Sequence, residues 1–205
     1  MLKLFHSPGS CSTASLIALE EAGARYEIAW MDTRTGDQRR SEYLAVNPKG
    51  RVPALVTDEG VLTETPAILA YVAQTYPQAG LAPTDPWDFA RMQAFNSYLC
   101  STVHVAHAHK HRGYRWATQE ASFHDMTAKV AENETECFRL IEAELLEGPW
   151  VLGERFSVAD PYLFTISSWL EDDGVDIAQF PKVRDHFRRM TDRPAVKAVL
   201  SKKAA

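Results

Sequence analysis

Short β-favouring runs alternate with longer helical ones in the first third of the chain, and only the helical kind continues after it. LKLF, Leu2–Phe5, and RYEIAWMD, Arg25–Asp32, predict two strands. Between them TASLIALEEAG predicts a helix that Gly23 stops. The polar stretch Thr33–Pro48 predicts a loop holding a short helix. Arg51–Glu64 reads as two strands joined at Asp58-Glu59-Gly60, a hairpin signal. In TPAILAYVAQTYP, Thr65 stands at the N-cap, Pro66 at the first helical position and Pro77 beyond the end. The order strand, helix, strand, helix, strand, strand, helix is thioredoxin-like.

APTDPWD, Ala82–Asp88, carries turn residues and predicts a linker. The expected organisation is an α+β thioredoxin-like domain at 1–78, a linker at 79–86 and an all-α domain at 87–205. Helices are predicted over 87–112, 120–147, 157–173 and 180–200. SVAD, Ser157–Asp160, reads as a capping box: Ser157 accepts from the Asp160 N–H while Asp160 reaches back. Phe156 before it is placed to staple onto Pro161 or Tyr162, with Tyr162 the better partner.

Composition narrows the class. The chain has 205 residues, 45% hydrophobic and 24% charged, with a net charge of −5. A mildly acidic chain argues against a nucleic-acid binder, which would carry a basic stripe. No stretch approaches a membrane span, and the start MLKLFHSPGS holds too short an apolar run for a signal segment. Cys11, Cys100 and Cys137 are odd in number and widely spaced, fitting neither a disulfide framework nor a zinc site. The expectation is a reduced cytoplasmic protein.

Three places carry candidate chemistry. In SPGSCSTA, Cys11 falls where the first strand turns into a helix. The unpaired N–H groups and positive dipole end there favour a thiolate of lowered pKa, or an anionic sulfur brought by a ligand. An inert packed cysteine fits the same stretch. With Ala14 in the fourth position, Cys-Ser-Thr-Ala cannot run a dithiol cycle within one motif. Val52-Pro53 precedes the apolar run ALV, where a proline suits an edge or turn; a cis bond would expose the Val52 N–H and C=O to an extended peptide ligand. At Glu64-Thr65, Thr65 can cap its helix. Its hydroxyl and N–H also suit a carboxylate, with Glu64 beside them for an ammonium, so one α-amino acid head group satisfies both.

SPGSC, VNPKGRVPAL, LTETPAI and SVADPYLF, in that order, resemble the cytosolic glutathione transferases, and among them the bacterial beta class with an active-site cysteine. The resemblance spans nearly the whole chain. It implies a glutathione transferase that conjugates glutathione, its co-substrate, to small electrophilic, largely apolar compounds. It further implies a homodimer, with no membrane or nucleic-acid partner. By it Cys11 faces the glutathione sulfur, Val52 before a cis Pro53 pairs with the cysteinyl backbone, and Glu64 and Thr65 hold the γ-glutamyl head. Ser101 and His104 border glutathione. Ser10 or Ser12 stands ready to stabilise the thiolate, and Cys11, Ser12 and His104 are the catalytic candidates. The chain departs from the pattern in having Val105 where a lysine usually follows the histidine, and Phe5-His6 where a tyrosine follows the first strand. A lysine after the second strand is likewise missing, with Arg34, Arg39 or Arg40 as stand-ins.

Two rivals remain at this level: thiol transfer or peroxide reduction through a Cys11 mixed disulfide, and a non-catalytic ligand- or partner-binding protein of the same fold. Ser97, Ser101, His104, His107 and His111 recur at helical spacing and predict one shared face. No metal is expected there, because no carboxylate or cysteine pairs with those histidines in sequence. Lys110, Arg112, Arg115 and Trp116 suggest an anion- and aromatic-tolerant cleft wall, with Tyr114 and Phe123 as further lining.

Overall fold

The computed structural model describes residues 1–202. Four strands form one mixed sheet in the order β2-β1-β3-β4: β1 (Leu2–His6), β2 (Tyr26–Trp30), β3 (Ala54–Thr57) and β4 (Gly60–Thr63). β1 runs parallel to β2 with Leu4 opposite Ile28, and antiparallel to β3 with Leu4 opposite Leu55. β3 and β4 form the expected hairpin, Leu55 opposite Leu62. A parallel pair needs a crossover, and α1 (Ser12–Glu21) supplies it between β1 and β2. α2 (Ser41–Leu44) is the short helix of the polar stretch, and α3 (Thr65–Thr75) closes this thioredoxin-like unit.

The helical unit holds α4 (Pro86–Tyr98), α5 (His104–Arg112), α6 (Glu120–Ala128), α7 (Val130–Leu140), α8 (Ala159–Ser167), α9 (Pro181–Asp192) and α10 (Pro194–Ser201). Two long helices of the sequence reading are each split. The 180–200 segment breaks at Arg193, which is extended (φ −66, ψ 136) because Pro194 follows. The 120–147 segment breaks at Lys129 between α6 and α7, where the sequence has neither glycine nor proline, so packing alone sets the boundary. Between α4 and α5 the helix widens into a π-turn over Leu99–Val103.

α1 is buried on every side: Leu16, Ile17 and Leu19 are fully enclosed between the sheet and α8. That explains its apolar composition all round the axis rather than on one stripe. α8 is likewise buried along its whole length and forms the centre of the helical unit. Polar ties join the units, among them the Lys202–Glu20 pair at 3.5 Å. The Trp169 indole N–H donates to the Gly9 carbonyl at 2.8 Å. Arg193 at the head of α10 grips Glu21 at the end of α1 through two nitrogens, one at 2.8 Å.

The SVAD box forms with altered partners. The Asp160 carboxylate accepts from the Ser157 N–H at 2.7 Å, as expected. The Ser157 hydroxyl, however, accepts from the Ala159 N–H at 3.3 Å, and the Asp160 N–H goes to the Ser157 carbonyl. Asp160 is fully buried and also takes the Val151 N–H at 2.8 Å, with His186 Nε2 at 3.0 Å. It therefore fastens α8, the loop before it and α9 at one point. Phe156 does not staple Tyr162. It packs edge-on against Trp150 with the Arg193 guanidinium 3.7 Å above its ring, while Tyr162 turns toward the cleft between the units.

Candidate active site

A cleft of about 630 Å³ lies between the two units. Its first wall comes from the turn between β1 and α1, the segment before β3, and the head of α3. Its second wall comes from α5 and the turn that follows.

Cys11 occupies the N-cap position of α1 and is buried to 8% exposure. Its thiol donates to the Val52 carbonyl at 3.4 Å, across the sheet edge. Burial pushes this thiol up from its ordinary value, against weaker downward pulls from a Thr65 hydrogen bond and the Arg112 charge. Burial thus works against the lowered thiol pKa expected of a helix start and favours the packed-cysteine alternative. Burial is the largest influence on the thiol, which donates to Val52 on the cleft wall.

Ser12 is also placed differently from the catalytic role expected of it. Its hydroxyl is fully buried, 2.8 Å from His6 Nδ1, and accepts from the Ser7 N–H at 3.1 Å. The first turn of α1 rotates it under the strand end, away from the cleft, and Ser10 lines the cleft instead. Ser10 donates to the Ser7 carbonyl at 2.8 Å, and its hydroxyl lies 2.7 Å from that of Ser12. His6 stacks edge-on against Trp30, and burial lowers its pKa to about 4, so it stays neutral at physiological pH.

The Val52–Pro53 peptide is cis, and both residues line the cleft. Tyr43 Oη and Asn47 Nδ2 donate to the Arg51 carbonyl at 2.6 and 2.7 Å, holding this segment from behind. Glu64, not Thr65, takes the N-cap position of α3, and Thr65 is the first helical residue, nearly buried. Glu64 has φ 73, the one non-glycine positive φ among the described residues. Such a conformation costs about 1–3 kcal/mol and is characteristic of functional positions. It presents the carboxylate to the cleft rim, where Lys49 Nζ lies 2.5 Å from Oε1.

On the second wall His104 lines the cleft, with its ring centroid 5.0 Å from that of Trp169. Burial, then the charge of Arg112, drives its pKa down to about 3, so it is a neutral imidazole across the working pH range. His107 stacks on Trp169 at 4.3 Å and is anchored by Asp173 Oδ2, 2.6 Å from Nδ1. His104, His107 and His111 share the cleft face as the spacing predicted, but Ser97 and Ser101 do not. The π-turn is the reason. Its wider winding brings Cys100 into line with His104 and rotates Ser101 outward, where it donates to the Ser97 carbonyl at 2.8 Å. Ser101 is exposed and does not border the cleft of its own chain.

Of the three arginine stand-ins, Arg34 reaches the cleft and Arg39 and Arg40 do not. Tyr114, Arg112, Arg115 and Trp116 line it, whereas Phe123 packs beneath Gly113. Reading the sequence missed Arg51, Cys100 and Trp169. Arg51 lies inside VNPKGRVPAL, so a local signal for it exists. Trp169 meets Gly9 across 160 residues, and no local pattern announces that contact.

The same two units are found in known proteins. Residues 1–74 match the glutathione S-transferase N-terminal domain and residues 104–194 the glutathione S-transferase C-terminal domain. The chain is 30% identical over 203 residues to the glutathione S-transferase GstA of Escherichia coli O157:H7, covering 98% of each chain. Among solved structures it is similar to a glutathione transferase homologue from Sulfitobacter with bound glutathione. That likeness has 52% identity and a TM-score of 0.96, covering 98% of this chain and 97% of the other. It is also similar to the beta class enzyme of Sphingomonas chungbukensis, with 35% identity, a TM-score of 0.84 and coverage of 97% and 96%. Both family domains in order, over a chain matched nearly end to end, make this protein a member of the glutathione S-transferase family.

Proposed function

We propose that the protein conjugates glutathione to small electrophiles, with glutathione on the first wall and the electrophile against the second. The observation that carries this reading is Glu64, held at φ 73 so that its carboxylate meets the cleft beside the head of α3. In this reading Glu64 takes the α-ammonium of the γ-glutamyl group and the Thr65 N–H its carboxylate. The Val52 main chain pairs with the cysteinyl unit, which sets the glutathione sulfur beside Cys11 and Ser10. The sulfur loses its proton to solvent and its electron pair forms the bond to the electrophilic carbon, whose leaving group departs. Rate comes from a stabilised thiolate and from holding both reactants together, since neither His6 nor His104 is poised as a base near neutral pH.

Neutral, buried Cys11 speaks against thiol transfer as the principal activity, because the thiolate is the attacking species. A homodimer is proposed on the family pattern, with exposed Ser101 available to a second copy; light scattering would show about twice the 23.0 kDa chain mass. The deciding experiment follows chloride release and thioether formation with glutathione and an uncharged chloronitrobenzene. Saturable acceleration in both reactants is expected. A rate no faster than the uncatalysed reaction would overturn the assignment.

A further inference from the structure

The cleft is strongly one-sided in charge. Arg34, Arg51, Arg112 and Arg115 line it, and Glu64 is its single acidic residue. Glu64 already holds Lys49, and Arg34 is paired with Asp32 at 3.0 Å. Among the described residues Arg51, Arg112 and Arg115 have no carboxylate partner. Arg112 and Arg115 are both partly buried. Burial lowers the Arg112 pKa, and the nearby Arg115 charge lowers it further, so the two guanidiniums repel each other in a partly desolvated place. A cation at the end of α5 is favoured by the helix carbonyls, but that role is met in full by an exposed side chain. Two partly buried arginines that line one cleft, each without a carboxylate partner among the described residues, suit an anion.

Glutathione does not use this site up. In the pose proposed above, on which this inference rests, its α-carboxylate lies at α3; continued past the Val52 pairing, the same extended chain carries its glycyl carboxylate toward Arg51, the residue next to Val52. That leaves Arg112 and Arg115, which are on the opposite wall. Flat side chains line the same cleft: Trp116 and Tyr114 on the turn that carries Arg115, and Trp169 with His107 stacked upon it. The Arg115 guanidinium lies 6.0 Å from the Tyr114 ring centroid, which keeps that ring beside the charge.

We propose that the second substrate is an aromatic or otherwise planar electrophile bearing a carboxylate, which Arg112 and Arg115 bind while Trp116 and Trp169 flank its apolar part. This adds a charged class to the largely apolar electrophiles expected from the family resemblance. The chemistry is unchanged: the glutathione sulfur, its proton lost to solvent, bonds to the ring carbon, and the halide leaves with the electron pair of the broken bond.

A chlorodinitrobenzoate and its methyl ester differ in this one charge. Each enzymatic kcat/KM is divided by the uncatalysed rate constant with glutathione, which removes intrinsic reactivity. The wild type is expected to favour the carboxylate by roughly tenfold or more, as a hydrogen bond to a charged group allows. Arg112→Gln and Arg115→Gln should each bring that ratio down toward one, and added salt should lower it in the wild type. Arg51→Gln should instead raise the glutathione KM with both electrophiles and keep the ratio. A wild-type ratio at or below one overturns the proposal. So does an equal loss with both electrophiles in the arginine variants, which would assign those side chains to the thiolate. Calorimetry with the two thioether products separates this idea from the transferase reading. Tighter binding of the carboxylate product without turnover of either chloride sinks the transferase reading alone. Turnover with equal product binding sinks the anion site alone.

Discussion

The two walls of the cleft are made of different material. The first is built largely of main-chain groups and small side chains at the start of α1, the Val52 peptide and the head of α3, with Arg34, Arg51 and Glu64 as its long charged side chains. The second presents long cationic and aromatic side chains from α5 and the turn after it. Main-chain groups are held by the sheet ladder and by buried α1, so the first wall is rigid wherever the sheet is rigid. Long side chains hold position only through their own ties, Trp169 to Gly9 and His107 to Asp173. A backbone wall can recognise one invariant peptide-like molecule. A side-chain wall can be re-specified by replacing single residues, and specificity toward the electrophile belongs there.

If this contrast is right, the largest effect should come from a residue outside both walls on which both depend. Asp160→Ala removes a buried carboxylate with three partners, Val151, Ser157 and His186. Stability measured by chemical denaturation should fall by about 3–5 kcal/mol, the cost of stranding buried polar partners. A loss under about 1 kcal/mol would show that α8 is seated by apolar packing alone.

Next in size is a pH effect behind the second wall. Glu134 on α7 is buried, and burial, with the charge of Asp173, raises its carboxyl from 4.5 to about 8. Between those values the folded state holds a proton that the unfolded state has lost, so stability falls as pH rises through that window. Glu134→Gln removes the ionisation, and its advantage over the wild type should grow by a few kcal/mol from pH 5 to pH 9. His104 has the opposite sign. Its folded pKa, about 3, lies below 6.5, so its contribution is present above 6.5 and is lost as pH falls toward 3. Parallel wild-type and Glu134→Gln curves would remove the buried carboxyl from the account.

On the first wall Glu64→Ala should weaken glutathione binding by about 1.5–3 kcal/mol, the scale of a hydrogen bond to a charged group. Calorimetry with the fold monitored in parallel reads this directly, and unchanged affinity would detach Glu64 from the ligand. The smallest effect on conjugation should come from Cys11→Ala, within a few-fold of wild type, because glutathione brings its own sulfur. The same variant should lose the adduct that oxidised glutathione makes at Cys11, which peptide mapping by mass spectrometry separates from any at Cys100, the other free thiol of the cleft. In the wild type that adduct should form faster with each step in pH up to 9, since burial holds the thiol protonated. A conjugation rate that collapses in Cys11→Ala would make the first wall a side-chain wall after all.

How far each wall was readable follows from the same contrast. Cys11, Val52, Pro53, Glu64 and Thr65 each sit beside a local signal, a strand end or a helix start, and the structure lines one cleft with all five. Ser12 was misplaced because a one-residue rotation in the first turn of α1 decides between cleft and core, and sequence boundaries are coarser than that. Ser101 was misplaced by the π-turn, whose extra width no residue in LCSTV announces.

By itself the sequence determined the order of strands and helices in the first unit, the helical character of the second, the hairpin at Asp58-Glu59-Gly60, the capping segment at Ser157–Asp160 and the family. These rest on local spacing, turn chemistry and motif order, which are written into neighbouring residues. Only the tertiary structure decided the protonation of Cys11 and His104, the inward turn of Ser12 and the meeting of Arg51 with Arg112 and Arg115 across the cleft. Those depend on burial and on charges brought together from distant parts of the chain, and both exist only once the core has closed.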